Sequence, residues 1–171
     1  MSDTKTVHIA IADYQKSRDA DAIIELMNQY SLDKMGGGEA LPDSVKKVLV
    51  AEMAKIPGAF TVVAFVEGSA GGDDLIPVGL INCFMGFSTF KAKPLVNIHD
   101  VVVLPEYRGL KLSTRMLEKV EEVAIERGCC KLTLEVLEGN KIAQNAYVKF
   151  GFGGYELDPE LGGAGFWEKV L

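Results

Sequence analysis

Residues 99–120 read HDVVVLPEYRGLKLSTRMLEKV. A run of β-branched residues stops at Pro105, Arg108 and Gly109 follow, and an amphipathic pattern begins almost at once. Leu112, Met116, Val120 and Val123 then recur on one helical stripe up to Gly128, which suits a helix stop. A strand that passes through so short a turn into a helix must be covered by that helix. The next strand pattern, KLTLEVL at 131–137, therefore returns parallel to 94–104 through a right-handed crossover. The corner has a chemistry of its own. The first N–H groups of a helix lack intrahelical acceptors and the macrodipole favours negative charge there, so a strand–turn–helix with an arginine and a glycine suits a phosphate. An ordinary strand–helix connection would carry the same local pattern.

The remaining elements follow from period and punctuation. VHIAIA (7–12) alternates as a strand, and SRDADAIIELMNQYSL (17–32) carries Ala22, Ile23, Leu26, Met27 and Tyr30 at helical spacing, with Ser17 or Asp19 as cap. PDSVKKVLVAEMAKI (42–56) predicts a second helix between Pro42 and Pro57. Strands are expected at 59–68, 75–90 and 94–104, the first two joined by the turn SAGGDD, so these neighbours should be antiparallel. Residues 140–151 predict a short helix from Asn140 to Gly151, and GGYEL and GFWEKVL two closing strands. The fold class is α/β: a mixed, mostly antiparallel sheet of about seven strands with helices on both faces, in a single domain spanning 1–171.

Bulk properties narrow the function. A net charge of −6 with no basic stripe argues against a nucleic-acid partner and is compatible with a cationic substrate. No apolar run is long enough for a membrane span, and the N-terminus lacks the apolar stretch of a signal peptide. Three cysteines, Cys83, Cys129 and Cys130, do not make a disulfide framework, and with two distant histidines they lack zinc-ligand spacing. No metal is expected, and a reducing cytoplasm is the expected compartment. Cys129 and Cys130 read as buried apolar residues.

VVVLPEYRGLKLSTRML followed by LEVLEGNKIAQNAYVKFGF resembles the GCN5-related N-acetyltransferase (GNAT) superfamily. The first piece resembles the family's acetyl-CoA pyrophosphate motif, the second its Asn-x-x-Ala-x-x-x-Tyr helix ending in Gly-Phe. The resemblance covers nearly the whole chain and implies the acyl-CoA N-acyltransferase fold, with acetyl-CoA as co-substrate. Lys111 and Ser113 stand where the family has glycine or alanine. A helical N-terminus is expected to need no positive φ, so Lys111 need not abolish binding, and its ammonium could reach a phosphate. A fainter likeness, in FSTFKAKPLVNIHDVVVLPEYRG, is to diamine and spermidine acetyltransferases, which carry an acidic pair at the place of His99–Asp100.

The resemblance assigns the cofactor to Arg108, Gly109, Leu110, Lys111, Leu112, Ser113 and Thr114 at the corner, to the backbones of Val101, Val102 and Val103 as an edge for pantetheine, and to Asn140 and Tyr147. Asn140 also reads as an N-cap and the valines as buried strand residues on local grounds alone. Acetyl transfer needs an acid for the thiolate, and Tyr147, with an ordinary pKa of about 10, is the candidate, although its apolar helix face with Ala143 and Phe150 equally suits a core tyrosine. The base is left among Glu135, His99, Asp100 and a water chain; His99 has the best-matched ordinary pKa, and strand alternation puts His99 and Asp100 on opposite faces. Tyr30, Phe87 and Phe90 could line an acceptor pocket, with core packing the alternative for each. The expected activity is direct transfer from acetyl-CoA to a primary amine: a small amine, polyamine or amino acid. An acyl-CoA sensor and a protein N-terminal or lysine acetyltransferase are the alternatives, and a homodimer is compatible with the resemblance.

Overall fold

In the computed structural model, which describes residues 6–68, 74–156, 158, 160 and 162–171, the chain divides into two compact units, one up to Leu134 and one from Glu135 on. The first is built on a five-stranded sheet in the order β1 (Val7–Ile11), β2 (Phe60–Glu67), β3 (Leu75–Ser88), β4 (Lys93–Val103), β5 (Leu132–Leu134). The first three pairings are antiparallel and β4–β5 is parallel, as the connection lengths require. Among the described residues the sheet thus has five strands and not about seven.

Helix α1 (Ser17–Leu32) lays Ala22, Ile23 and Leu26 against Val63, Phe65, Leu80 and Val102 on one face. Helix α4 (Leu112–Glu126) buries Leu112, Met116, Leu117, Val120 and Val123 against the other. Gly79, which neighbours Leu80 and so faces the opposite side, explains how closely α4 seats. A Cβ there would meet the Val102 carbonyl at 2.8 Å and Met116 Cε at 3.0 Å.

Four expectations need correction. Residues 42–56 form not one helix but two short ones, α2 (Asp43–Lys46) and α3 (Leu49–Met53). Nothing in α2 is buried, whereas α3 buries Val50 and Met53, and helices this short persist only where packing supports them. Neither Ser17 nor Asp19 caps α1 with its side chain; Asp19 is buried in the first turn and accepts the Asp13 N–H at 2.9 Å. Strand 131–137 shortens to Leu132–Leu134 because β4 carries a bulge. Cys83 pairs Ile98 and Asn82 pairs Asp100, so His99 is the extra residue. A bulge bends and twists its strand, and pairing with β5 stops at Ile98.

The closing strands are also absent among the described residues. Only a single bridge, Glu156 to Gly163, forms there, while Phe166, Trp167, Val170 and Leu171 are exposed. An isolated pair of strands without a buried face is marginal in water. The expected SAGGDD turn and the GGYEL strand fall partly outside the described residues, at 69–73 and 157. The hairpin closes on their near side through Gly68 N–H to the Asp74 carbonyl at 2.7 Å. The second unit contains α5 (Lys141–Phe150).

Candidate active site

The corner after β4 is built by local chemistry. Pro105 cannot donate to a ladder and opens a 3-10 turn over Pro105–Tyr107. Arg108 is extended (φ −66°, ψ 148°), Gly109 is left-handed (φ 88°), and Lys111 is left-handed too (φ 57°, ψ 24°) where it caps α4. The expectation that this corner needs no positive φ is therefore overturned: the chain reverses from extended backbone into a helix within three residues, and two left-handed residues make that reversal. No side chain caps α4 and no acidic residue sits in its first turn, so the N–H groups of Leu112, Ser113 and Thr114 remain as donors at the positive end of the helix. Leu112 is buried and offers only its backbone; Leu110 and Thr114 are exposed and Ser113 half-buried.

Arg108 is already engaged. Its Nε donates to the Val103 carbonyl at 3.2 Å and its guanidinium to Asp33 Oδ2 at 3.3 Å. The Asp33 carboxyl is held below the ordinary range, first by the Met35 N–H donated to it and then by Arg108.

Among the described residues, β4 has no strand partner on its outer edge beyond Ile98. Leu104 N–H donates to the Val78 carbonyl, so by alternation Val103 and Val101 turn their N–H and C=O groups away from β3, while Val102 turns its own toward β3 and buries its side chain. Val101 and Val103 are half-buried, not buried as their composition suggested. An extended chain laid along that edge would meet the backbone groups of Val101 and Val103 and then the α4 corner, on the geometry of an added strand.

The α1 side of the sheet carries a polar row that the sequence reading missed. Tyr14 hydroxyl lies 2.9 Å from Thr61 Oγ1, Thr61 Oγ1 donates to Asn82 Oδ1 at 2.7 Å, and Asn82 Nδ2 donates to Asp100 Oδ2 at 3.0 Å. Thr61, Asn82 and Asp100 are register partners on three adjacent strands. Thr61 and Asn82 are buried and Asp100 half-buried. The Tyr30 phenol is pushed up by burial and then by the charge of Asp100, and Tyr14 is pushed up chiefly by burial. The one sequence signal was an asparagine inside the apolar run LINCF. His99, on the bulge, is exposed with its ring edge-on to Phe84 at 5.5 Å. Phe87 and Phe90 are exposed, so core packing does not account for either; Tyr30 is half-buried against the α1 cluster.

In the second unit, Asn140 caps α5 through Oδ1 accepting the Ala143 N–H at 3.2 Å. The helix ends on left-handed Gly151 (φ 110°), with Phe152 N–H bonded to the Tyr147 carbonyl and Gly151 N–H to that of Val148. This is a Schellman ending, and its usual apolar contact is supplied by the Tyr147 ring edge-on to Phe152 at 5.9 Å. The Gly-Phe at the end of this helix thus has a mechanical purpose: it holds the Tyr147 ring against Phe152. Glu135 is exposed at the start of this unit.

Burial pushes the Cys83 thiol far up and raises Cys129, and Cys129 and Cys130 are half-buried rather than core residues. Among the described residues, no three His, Cys, Asp or Glu side chains gather as a metal site, and no helix is long and apolar enough to cross a membrane.

A mixed sheet whose fourth strand opens toward a bare helix N-terminus sets an extended edge beside an anion-binding corner. The chain belongs to the Acetyltransferase (GNAT) family, whose model matches residues 23–152. It is accordingly an N-acetyltransferase of the acyltransferase class with acetyl-CoA as co-substrate. It is 32% identical over 141 residues to the thialysine N-epsilon-acetyltransferase of Bos taurus, covering 82% of this chain and 71% of that one. It is 34% identical over 103 residues to the enzyme of that name from Mus musculus, covering 60% and 53%. Among solved structures, an aminoglycoside N-acetyltransferase, AAC(6')-Iy in complex with CoA, superposes with a TM-score of 0.74 at 15% identity, covering 99% of this chain and 98% of that one, which establishes likeness of fold.

Proposed function

We propose that the chain transfers the acetyl group of acetyl-CoA directly to a primary amine of a small cationic molecule, with the side-chain amine of a basic amino acid as the favoured class. The observation that carries this reading is the open edge of Val101 and Val103 running into the uncapped start of α4. Pantetheine pairs with that edge, and the pyrophosphate takes the donors of the α4 corner with Arg108, Lys111 and the backbone of Gly109 to Thr114. In the reaction the amine nitrogen attacks the thioester carbonyl, the C–N bond forms, the C–S bond breaks, the nitrogen loses a proton and the thiolate gains one. An N–H of the β4 edge polarises the carbonyl. Tyr147 is the proposed acid, and Asn140 supports the pantetheine arm beyond its capping role.

The acceptor class rests on two supports: the half-buried carboxylate of Asp100, and the 32% identical relative, a thialysine N-epsilon-acetyltransferase. His99 is exposed on the bulge and Glu135 is exposed, so both remain reachable as bases. The chain is proposed to act as one domain in a reducing cytoplasm, which its three free cysteines suit. The test is a panel of amines, amino acids and peptides incubated with acetyl-CoA while free thiol is followed. Release of thiol with a small diamine or basic amino acid is expected; release only with peptides would transfer the acceptor assignment to proteins.

A further inference from the structure

The row Tyr14–Thr61–Asn82–Asp100 has a direction, and the direction follows from counting hydrogens. A threonine hydroxyl has one proton. Thr61 spends it on Asn82 Oδ1, so Tyr14 is the donor in the contact between the two hydroxyls. With its carbonyl oxygen facing Thr61, Asn82 turns its two N–H bonds to Asp100 Oδ2 at 3.0 Å and to Met27 Sδ at 3.3 Å. Reversing the amide would set its carbonyl against a carboxylate and a sulfur, neither of which donates when Asp100 is ionised. Every donor in the chain therefore points one way, and the chain ends on a carboxylate oxygen.

Asn82 sits at the centre of the sheet, 2% exposed, between apolar neighbours. An apolar residue would be the simple choice there, since a buried amide at best offsets its desolvation when every bond is made. All the bonds are made, yet what they accomplish is the orientation of Asp100, which is only half-buried and leaves Oδ1 uncommitted by this row. The groups facing that carboxylate from the packed elements are the Tyr30 phenol and Met27 of α1, with Cys83 and His99 as its neighbours along β3 and β4. None of these carries a positive charge while His99 is neutral.

We propose that Asn82 is a positioning residue: through the ordered row from Tyr14 and Thr61 it holds Asp100 in one rotamer so that the carboxylate receives the ammonium of a cationic acceptor. The inference rests on the proposed amine transfer and adds the machinery that selects the acceptor. A hydrogen bond to a charged group carries more than one between neutral groups. Losing it frees the carboxylate to rotate, and acceptor binding suffers while acetyl-CoA binding does not.

The experiment compares Asn82→Leu, Thr61→Val and Thr61→Ser in the full chain, with thialysine and 1,4-diaminobutane as acceptors. Each variant's melting curve is recorded, and KM is measured separately for acceptor and acetyl-CoA. Asn82→Leu and Thr61→Val are expected to raise the acceptor KM about tenfold or more and to leave the acetyl-CoA KM within about twofold. Thr61→Ser keeps the hydroxyl and should restore the wild-type acceptor KM. If Asn82→Leu does not fold, the Thr61 pair decides alone, since valine is close to isosteric with threonine. Folded variants with an unchanged acceptor KM would overturn the positioning role while leaving amine transfer intact. A wild-type enzyme that acetylates neither probe nor any other small amine would instead overturn the proposed acceptor class, and this inference with it.

Discussion

Replacing Lys111 separates a backbone effect from a charge effect at the corner. Lys111 has φ 57° and ψ 24°, a conformation that costs a residue with a Cβ about 1–2 kcal/mol. Glycine removes that cost but makes the unfolded chain more flexible, a loss of about 0.5–1 kcal/mol. Lys111→Gly should therefore stabilise the fold by about 0.5–1 kcal/mol, a rise in Tm of about 1–4 °C for a chain of this size. Lys111→Ala retains both Cβ and strain, so its Tm should match the wild type. Binding separates the variants differently. If the ammonium contacts phosphate, both substitutions weaken CoA by a similar factor, about fivefold for one screened charge at about 4 Å, and the loss shrinks with added salt. A pantetheine fragment without phosphates should bind all three proteins alike. Calorimetric melting and titration calorimetry at two salt concentrations measure both effects. A Lys111→Gly protein that melts no higher than Lys111→Ala would refute the strain argument, and unchanged CoA affinity in both variants would remove the ammonium from the site.

Arg108→Ala should weaken CoA, whereas Asp33→Asn should tighten it by up to about fivefold, because an exposed ion pair that competes for the guanidinium is worth at most about 1 kcal/mol. Since the Asp33 carboxyl is held below its ordinary range, the competing pair persists through neutral pH and is lost only as pH falls through that depressed value; the Asp33→Asn gain should therefore be the same at pH 6 and pH 8 in titration calorimetry. Tyr147→Phe keeps the ring contact to Phe152, so Tm should hold while kcat falls by roughly 10²-fold or more with acetyl-CoA affinity retained; wild-type turnover would falsify the acid role. Gly79→Ala forces a Cβ to 2.8 Å from the Val102 carbonyl, a backbone atom that cannot move aside, and should cost about 1–3 kcal/mol by denaturant titration.

What could be read from the sequence was whatever depends on local period. The α4 stripe of Leu112, Met116, Val120 and Val123 is buried throughout, and Gly128 and Gly151 end their helices in left-handed conformations, because spacing and helix stops are properties of a few neighbouring residues. What could not be read depends on register. A two-residue alternation says which face a side chain takes, but Thr61, Asn82 and Asp100 become one row only through irregularities at Ala64/Phe65 and Asn82/Cys83 that no residue type announces. The closing strands failed for a related reason. Their alternation was genuine, but alternation stabilises a strand only when a partner edge and a buried face exist.

Three of the residues that break local rules share a pattern. Asn82 interrupts an apolar strand, Lys111 occupies a left-handed position suited to glycine, and His99 is the extra residue of a bulge. Each lies on or beside β4, between the polar row and the helix corner. Natural chains depart from the locally favoured residue chiefly where a site demands it, so the departures themselves locate chemistry that motif matching passes over. The motif marks the proposed cofactor end of the site, because a phosphate asks for a stereotyped corner. The proposed acceptor end has no stereotype: it rests on a buried amide that donates to one half-buried carboxylate.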